Sequence, residues 1–198
     1  MAVVESDEYI NKTFDGLNLD YEDLTGKTFI DCTFKTCSLT ESDFSYSLFE
    51  DCIFESCNLT LTKFKDTKLR DVQFSNCKAS GISFSNCDSF ILEINFSECL
   101  LNSCNFSGLN LHKCRFRECK IVESDFINTK LVEADFSKSQ FKGSLFSNTN
   151  LLKADFSDAT GYSINPLSNN LKKAIFTLPE AISLLDYMDI IIKDSDLY

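Results

Sequence analysis

The chain has few of the residues that catalytic and metal sites need. Its 198 residues include one histidine, two prolines and no tryptophan. The single His112 cannot complete a Cys/His zinc set, and a Gly-rich phosphate-binding loop is absent. The N-terminus has no signal-peptide pattern, and no segment approaches the roughly eighteen apolar residues of a membrane span. We therefore expect a cytoplasmic protein with no membrane segment that is not an enzyme and uses no cofactor or metal.

Positive charge is also scarce. Nineteen Lys and Arg residues stand against thirty Asp and Glu residues, which gives a formal net charge of −11. Because such a surface repels phosphate groups, direct binding of nucleic acid is not expected. A protein surface that itself binds nucleic acid is a better partner class.

What the chain does contain is a period of five residues. Between Cys99 and Phe136 a bulky apolar residue occupies every fifth position, and a small residue lies two positions before it. Residues two apart in an extended segment point to the same side, so both are directed inward, and the remaining two residues turn a corner. Four such units close a 20-residue square coil, and stacked coils form an all-β solenoid.

The ten cysteines follow this five-residue frame. None forms a CxxC pair, and each falls at the small inward position. We interpret them as reduced, small apolar residues of the core, with a metal or redox role as the lesser alternative. Cysteines one coil apart are expected to stack about 4.8 Å apart, which is within reach of a disulfide. The ten residues are Cys32, Cys37, Cys52, Cys57, Cys77, Cys87, Cys99, Cys104, Cys114 and Cys119.

The frame is interrupted once. It runs from Phe14 to Phe84 and resumes at Phe96, twelve residues later. Because Phe recurs every ten residues on both sides, we interpret the interruption as two inserted residues and not as a three-residue deletion. The sequence predicts a two-residue bulge within residues 86–95, on which Phe90 is either exposed for contact or folded over a neighbouring face. The candidate contact residues on this bulge are Asp88, Phe90 and Glu93.

The five-residue unit resembles that of the pentapeptide-repeat family. The segments EADFS, KADFS, ESDFS and ESDFI match the family pattern A(D/N)Lxx with Leu or Phe in third position, and the resemblance covers roughly residues 14–160. It implies a right-handed quadrilateral parallel β-helix, for which we expect about seven coils and a length of roughly 34 Å. The expected divisions are an N-terminal cap at 1–13, the β-helix at 14–162 and a C-terminal segment at 163–198.

The C-terminal segment has a different pattern. Thr177 followed by Leu, Pro and Glu is typical of the start of a helix, with Thr177 as the N-cap. Apolar residues then recur at helical spacing, and a short apolar strand is predicted from Ile190 to Ile192. Since a solenoid must cover its open end or pair it, we expect a twofold dimer through this helix and strand. The predicted interface residues are Ile182, Leu185, Met188, Ile190 and Ile192.

A rod with a mid-length interruption and an apolar C-terminal helix is similar to the Qnr-type and MfpA-type members of the family. That resemblance implies a homodimeric, acidic rod that imitates duplex DNA, binds DNA gyrase and topoisomerase IV, and relieves quinolone inhibition. Qnr proteins of Gram-negative bacteria carry longer loops than the bulge found here. The alternatives are immunity against another gyrase poison, or a pentapeptide-repeat scaffold that binds another cytoplasmic protein.

The charges can be placed on the expected coils. Asp31, Asp51 and Asp71 are 20 residues apart and should stack at one corner, about 4.8 Å apart. Aligned like charges destabilise a fold, and imitation of DNA would explain them, although the preference of turns for Asp is an alternative. The candidate partner-binding residues are Asp31, Asp51, Asp71, Glu50 and Glu55. Opposite charges one coil apart predict two weak surface ion pairs, Lys113 with Glu133 and Arg115 with Asp135.

Overall fold

The computed structural model describes residues 4–191 and shows a parallel β-solenoid of about eight turns, one more than expected. Each strand pairs in parallel with the strand about 20 residues away, as Phe29 does with Phe49. The strands are β1 (Glu8–Ile10), β2 (Thr13–Asp15), β3 (Thr28–Ile30), β4 (Thr33–Lys35), β5 (Leu48–Glu50), β6 (Ile53–Glu55), β7 (Lys68–Ser75), β8 (Lys78–Ser80), β9 (Leu92–Ser97), β10 (Leu100–Asn102), β11 (Phe116–Arg117), β12 (Lys120–Val122), β13 (Asp125–Ile127), β14 (Gln140–Lys142), β15 (Leu145–Ser147), β16 (Asp155–Phe156) and β17 (Ile175–Phe176). Short 3-10 helices occupy Phe84–Asn86 and Glu180–Tyr187, and no described helix is long and apolar enough to cross a membrane.

The coil has four faces, each with one column of bulky residues that point inward. Face 1 begins at Tyr9, face 2 at Phe14, face 3 at Leu19 and face 4 at Leu24, and each column gains a residue with every coil. Corners of two residues connect the faces, and one of the two is commonly in the left-handed conformation. The residue between the inward small and bulky positions points outward, so each face presents a single column of side chains to solvent.

Phenylalanine columns on two opposite faces form the core. Face 2 carries nine phenylalanines from Phe14 to Phe176, and the ring centroids of neighbours on this column are 4.7 to 5.2 Å apart. Face 4 carries a second column from Phe44 to Phe146, with spacings of 4.9 to 6.1 Å. These distances suit offset stacking, and the predicted pair of columns is confirmed.

The small inward residues also connect the coils by hydrogen bonds. The Cys37 Sγ lies 3.2 Å from the Phe14 carbonyl oxygen, to which it donates, and the Thr62 Oγ1 donates to the Leu39 carbonyl at 2.7 Å. All ten cysteines are buried and free, as the frame predicts. Burial raises the pKa of the Cys52 thiol to about 12, so the reactive thiolate is scarce at neutral pH. The inward position therefore supplies a hydrogen-bond donor as well as a small volume.

Two extra residues separate the coils on either side of Phe90. Phe74 pairs with Phe96, 22 residues later, and the register of β7 against β9 shifts between Leu69 and Val72. The backbone N–H of Asp88 donates to the Thr67 carbonyl at 3.0 Å, so the insertion leaves the wall of the solenoid after this residue. Phe90 is 93% exposed, which excludes the alternative that it folds over a neighbouring face.

The parallel ladder continues beyond the predicted end at residue 162. Phe156 pairs with Phe176, and the two rings stack at 5.1 Å. The frame is hidden because Gly161 and Pro166 occupy its next two bulky positions. Between them the chain takes a shorter path, in which Phe146 bridges Ile164 after only 18 residues. Gly161 marks this tight passage, since a Cβ there would lie 2.2 Å from the Phe141 carbonyl oxygen.

The C-terminal helix differs from expectation in two details. It begins at Glu180, and Thr177 does not cap it, because its Oγ1 accepts a hydrogen bond from the Asp158 N–H at 2.9 Å. The helix is held to the end of the solenoid by Glu180, whose Oε1 accepts from the Gly161 N–H at 2.5 Å. The predicted strand is not seen at Ile190 or the residue after it, and Ile192 lies outside the described residues.

Candidate functional site

The corner between faces 1 and 2 carries a column of carboxylates. Asp31, Asp51 and Asp71 occupy it on consecutive coils, all exposed and all left-handed, with φ of 51°, 53° and 45°. The N–H of Asp31 donates to the Glu50 carbonyl and that of Asp51 to the Arg70 carbonyl, both at 3.0 Å. The backbone therefore holds these three side chains in line, and none of them takes part in an ion pair within residues 4–191.

Glu93 extends this column by one coil. It lies between Leu92 and Ile94, which pair with the strand that carries Asp71. Glu93 is exposed, and with Asp71 it lines a cavity of about 260 Å³. The sequence places Glu93 only on the bulge, although counting 22 residues across the insertion would have assigned it to the carboxylate column. We call Asp31, Asp51, Asp71 and Glu93 the acidic corner.

Glu50 and Glu55, which the sequence groups with these aspartates, are in a different situation. The Glu50 carboxylate lies 3.0 Å from the Arg70 guanidinium, and the Glu55 carboxylate lies 3.5 Å from the Lys35 ammonium. Glu55 also belongs to the next corner, between faces 2 and 3. In each pair the basic residue is 20 positions from the glutamate, so the 20-residue length of a coil would have predicted both ion pairs. Glu50 and Glu55 are thus locally neutralised and are not part of the acidic corner.

Beyond the bulge the same corner carries three lysines and one carboxylate, namely Lys113, Glu133, Lys153 and Lys173. The Glu133 carboxylate lies 2.8 Å from the Lys153 Nζ and 3.8 Å from the Lys113 Nζ, and the predicted pair of Lys113 with Glu133 is confirmed. The hydrogen bond and charge of Lys153 lower the pKa of Glu133. The corner therefore changes from unpaired carboxylates to a mainly basic column in which the single carboxylate is paired.

The predicted pair of Arg115 with Asp135 is wrong. These residues face each other in the parallel ladder, but it is the Arg117 guanidinium that reaches the Asp135 carboxylate. The Arg115 side chain instead lines a groove on face 2 beside Asn95, whose Oδ1 accepts from the Arg115 N–H at 3.0 Å. Although burial opposes the change, hydrogen bonds from Ser137 and Arg117 lower the pKa of Asp135.

The two halves of the rod differ in net charge. Residues 1–90 contain 16 acidic and 8 basic residues, whereas residues 91–198 contain 14 and 11. The first 90 residues make about 4.5 coils, or about 22 Å of rod, which corresponds to one net negative charge per about 2.7 Å. Duplex DNA carries one per about 1.7 Å. The N-terminal half thus approaches the charge density of DNA to within a factor of two.

The bulge lies directly beside the acidic corner. The Phe90 N–H donates to the Asp88 Oδ1 at 2.9 Å, and this turn presents the ring to solvent. A groove of about 370 Å³ runs between the bulge and the neighbouring coil, and its lining includes Arg70, Glu93 and His112. Glu93 and His112 also line the cavity next to Asp71, so acidic corner and bulge form one continuous surface.

Apolar residues are exposed at the C-terminal end. Ile182, Met188 and Ile190 are exposed, as a dimer interface would require, and Leu185 is half-buried. The predicted interface set omits two more exposed residues, Leu178, which precedes Ile182 at helical spacing, and Ile191, which lies inside the predicted strand. Leu184 packs against the end of the core and covers it. Within residues 4–191, no group of three or more His, Cys, Asp or Glu side chains is arranged to hold a metal ion.

Comparison with known proteins identifies the repeat. Residues 27–95 and 89–156 match the family model described as a pentapeptide repeat region. The fold is similar to that of a trypsin-treated variant of QnrB1, a plasmid-mediated fluoroquinolone resistance protein, with a TM-score of 0.68, 21% identity and coverage of 94% of this chain and 92% of that one. Full-length QnrB1 gives a TM-score of 0.61 and 17% identity, covering 92% and 100% of the two chains. No curated protein matches the chain by sequence.

Proposed function

The chain belongs to the pentapeptide-repeat family, and from this premise we propose that it is a binding protein, not an enzyme, that engages DNA gyrase, topoisomerase IV or both. In this proposal it protects them from quinolones or other gyrase poisons. The observation that carries the proposal is the acidic corner, in which four carboxylates without ion-pair partners among the described residues stand on consecutive coils beside an exposed bulge. The similar fold of QnrB1, a fluoroquinolone resistance protein, supports this choice of target.

The proposed mechanism is electrostatic imitation of duplex DNA. A surface that binds DNA is lined with Lys and Arg, and the rod offers it carboxylates on consecutive coils whose backbones are about 4.8 Å apart. Because the backbone ladder already orders the chain at these residues, little backbone entropy is lost when they are bound. The rod competes with DNA for the enzyme surface on which poisons act, and binding weakens as salt screens the charges.

A charge-neutralising variant tests this proposal. We expect the triple variant Asp31→Asn, Asp51→Asn and Asp71→Asn to bind purified gyrase about tenfold or more weakly at low ionic strength, because three charge contacts of up to about 1 kcal/mol each are lost. Its protection of gyrase supercoiling against ciprofloxacin should fall in parallel.

The matched control is Glu133→Gln, which removes a carboxylate from the same corner, in the half where charges are paired. This control should bind gyrase like the wild type. Absence of wild-type binding to gyrase and topoisomerase IV at every ionic strength would refute the proposal and leave the scaffold interpretation.

We also propose that the chain forms a homodimer through its C-terminal end. The proposal rests on the exposed apolar side chains of Ile182, Met188 and Ile190 at an end of the solenoid that lacks another covering element among the described residues. The double variant Ile182→Asp and Met188→Asp should run as a monomer in light scattering. Leu145→Asp, at an exposed position on face 4, is the control and should leave the dimer intact. An intact dimer in the double variant would refute this interface.

A further inference from the structure

Three left-handed corner positions hold unusual residues. Twenty-five non-glycine residues within the described chain have positive φ, and most are Asn, Asp, Glu, Lys, Ser or Thr. The exceptions are Tyr21 at 64°, Tyr46 at 63° and Leu61 at 58°. A bulky side chain is disfavoured in this backbone region, where Gly and Asn are preferred.

These three residues lie on one face of the first coils. Tyr21 and Leu61 occupy the corner that precedes face 4, two coils apart, and Tyr46 occupies the corner that follows it. Their exposed fractions are 71%, 48% and 61% respectively. The outward column between the two corners begins with Asp23, Asp43 and Lys63. We call these six residues the tyrosine face.

The solenoid itself does not need apolar side chains at these corners. Gly26 and Asp66 occupy the Tyr46 position on the neighbouring coils, and Glu41 lies between Tyr21 and Leu61. Within the described chain the Tyr21 side chain makes no hydrogen bond or aromatic contact. Leu61 covers Gly81 on the next coil, where a Cβ would lie 2.6 Å from the Leu61 Cδ2, so its side chain has a structural contact. At Tyr21, left-handed backbone and an exposed aromatic ring coincide without such a contact among the described residues, which is typical of a binding surface.

The chemistry of the tyrosine face suits a cationic partner. The Lys65 Nζ lies 5.8 Å from the Tyr46 ring centroid, so one side of this ring already holds a cation of the chain itself, whereas the Tyr21 ring has no such contact among the described residues. The Asp43 carboxylate forms an ion pair with the Lys63 Nζ at 3.6 Å, whereas Asp23 has no ion-pair partner in the described residues. Tyrosine rings next to carboxylates favour the guanidinium of Arg and the ammonium of Lys, and tyrosine is frequent at the centres of protein interfaces.

The tyrosine face and the acidic corner lie on opposite sides of the same coils. The acidic corner separates faces 1 and 2, and the corner with Tyr21 and Leu61 separates faces 3 and 4. We propose that the tyrosine face is a second contact surface, which binds Arg- and Lys-bearing segments of the topoisomerase while the acidic corner binds the opposite wall of its DNA-binding channel. This inference rests on the proposed function and extends it, because it predicts that the enzyme encloses the rod as it would enclose a duplex.

The test compares two variants in binding to purified gyrase. Tyr21→Asn, Tyr46→Asn and Leu61→Asn together should weaken binding at least tenfold while the salt dependence stays that of the wild type, because ring and apolar contacts are lost but no charge. The acidic-corner triple variant should instead lose salt dependence. The melting temperature of the tyrosine-face variant should stay the same or rise, since Asn adopts left-handed backbone more readily than Tyr or Leu. Ser56→Asn with Ser103→Asn is the control, at two uncharged left-handed corners elsewhere, and should bind like the wild type.

The possible outcomes separate the tyrosine-face inference from the proposed function. Wild-type affinity in the tyrosine-face variant would overturn this inference and leave the proposed function intact. A melting temperature lowered by several degrees would also overturn it, because the three residues would then be structural. If the wild-type protein fails to bind gyrase and topoisomerase IV, both the inference and the proposed function are wrong.

Discussion

The two halves of the rod share one skeleton, which is the stack of coils around the phenylalanine columns. They differ in their small inward residues and in their surface charges. The face 2 phenylalanine column runs through both without a gap, from Phe14 to Phe176. Before the bulge the carboxylates of the acidic corner stand unpaired among the described residues, whereas after it Glu133 sits between Lys113 and Lys153. Because the skeleton forms equally well beneath either arrangement, the unpaired charges are not required for folding. Their retention points to binding.

The interior also changes along the rod, although farther along than the surface charges do. One column of small inward residues contains five cysteines on consecutive coils, of which Cys37 is the first and Cys119 the last, and then continues with Ser139 and Ala159. The Ser139 hydroxyl donates to the Phe116 carbonyl, as the Cys37 thiol does to that of Phe14. Thiol and hydroxyl therefore serve the same structural purpose, but only the thiol has a pKa of about 8.5 once the chain unfolds.

The largest effect is expected from the shared skeleton. Phe34→Ala before the bulge and Phe116→Ala after it should each lower the free energy of unfolding by about 3–5 kcal/mol, because each removes a fully buried ring from the same column. Phe90→Ala is the control, because it makes the same substitution at an exposed ring, and it should change the free energy of unfolding by less than about 0.5 kcal/mol. Denaturant unfolding would measure all three. Markedly unequal losses in the two halves would show that the skeletons are not equivalent.

An intermediate effect should distinguish the two interiors at high pH. Burial raises the pKa of Cys52 to about 12 and that of Cys104 to about 11. The unfolded chain loses these protons from about pH 8.5 while the folded chain keeps them, so the unfolding free energy falls as pH rises. The loss is about 1–2 kcal/mol per thiol at pH 10.

A thiol-depleted variant isolates this contribution. Cys52→Ala with Cys104→Ser should lose less stability than the wild type between pH 8 and pH 10, by about 2–4 kcal/mol. Ala and Ser are suitable because Ala134 and Ser124 hold the corresponding inward positions on later coils. Equal pH dependence of the two proteins, measured by chemical unfolding, would contradict the assignment of raised thiol pKa values.

The smallest effect concerns the charges on the surface. Asp51→Asn should raise the free energy of unfolding by a few tenths of a kcal/mol, because repulsion from Asp31 and Asp71 is removed. Glu133→Gln should lower it slightly, because two lysines lose their partner. Thermal unfolding at low ionic strength would show shifts of opposite sign. Both shifts should shrink in high salt, and shifts of the same sign would mean that the two halves of the corner are electrostatically alike.

The sequence alone was sufficient for most of the architecture. The five-residue period predicts the square coil and the two phenylalanine columns, since the bulky inward position must be apolar in every coil. It predicted too early an end for the ladder, because Gly161 and Pro166 stand where the next two bulky residues are expected. Phe176 nevertheless lies 20 residues after Phe156 and pairs with it, so a count continued across this gap would have found the last coil.

The candidate site was less accessible to sequence reasoning. The aspartates of the acidic corner are visible as a 20-residue spacing, and so are the ion pairs of Glu50 with Arg70 and of Glu55 with Lys35, but the partner of Asp135 depends on how far a long side chain extends. Arg117 reaches Asp135 from two positions along the chain, which no register predicts. Tyr21 and Tyr46 were missed because the frame treats all corner positions alike, although bulky residues at left-handed corners were a readable signal.

The bulge also matters for how such a rod can diversify. The insertion leaves the wall after Asp88 and rejoins it at Leu92, while Phe74 and Phe96 stack at 5.0 Å as though no residues had been added. The coils on either side are thus in phase across this two-residue insertion. We expect that a segment of another length or composition can replace it without rebuilding the scaffold, so that the bulge is a position for altering target preference or for displaying foreign peptides on a rigid rod.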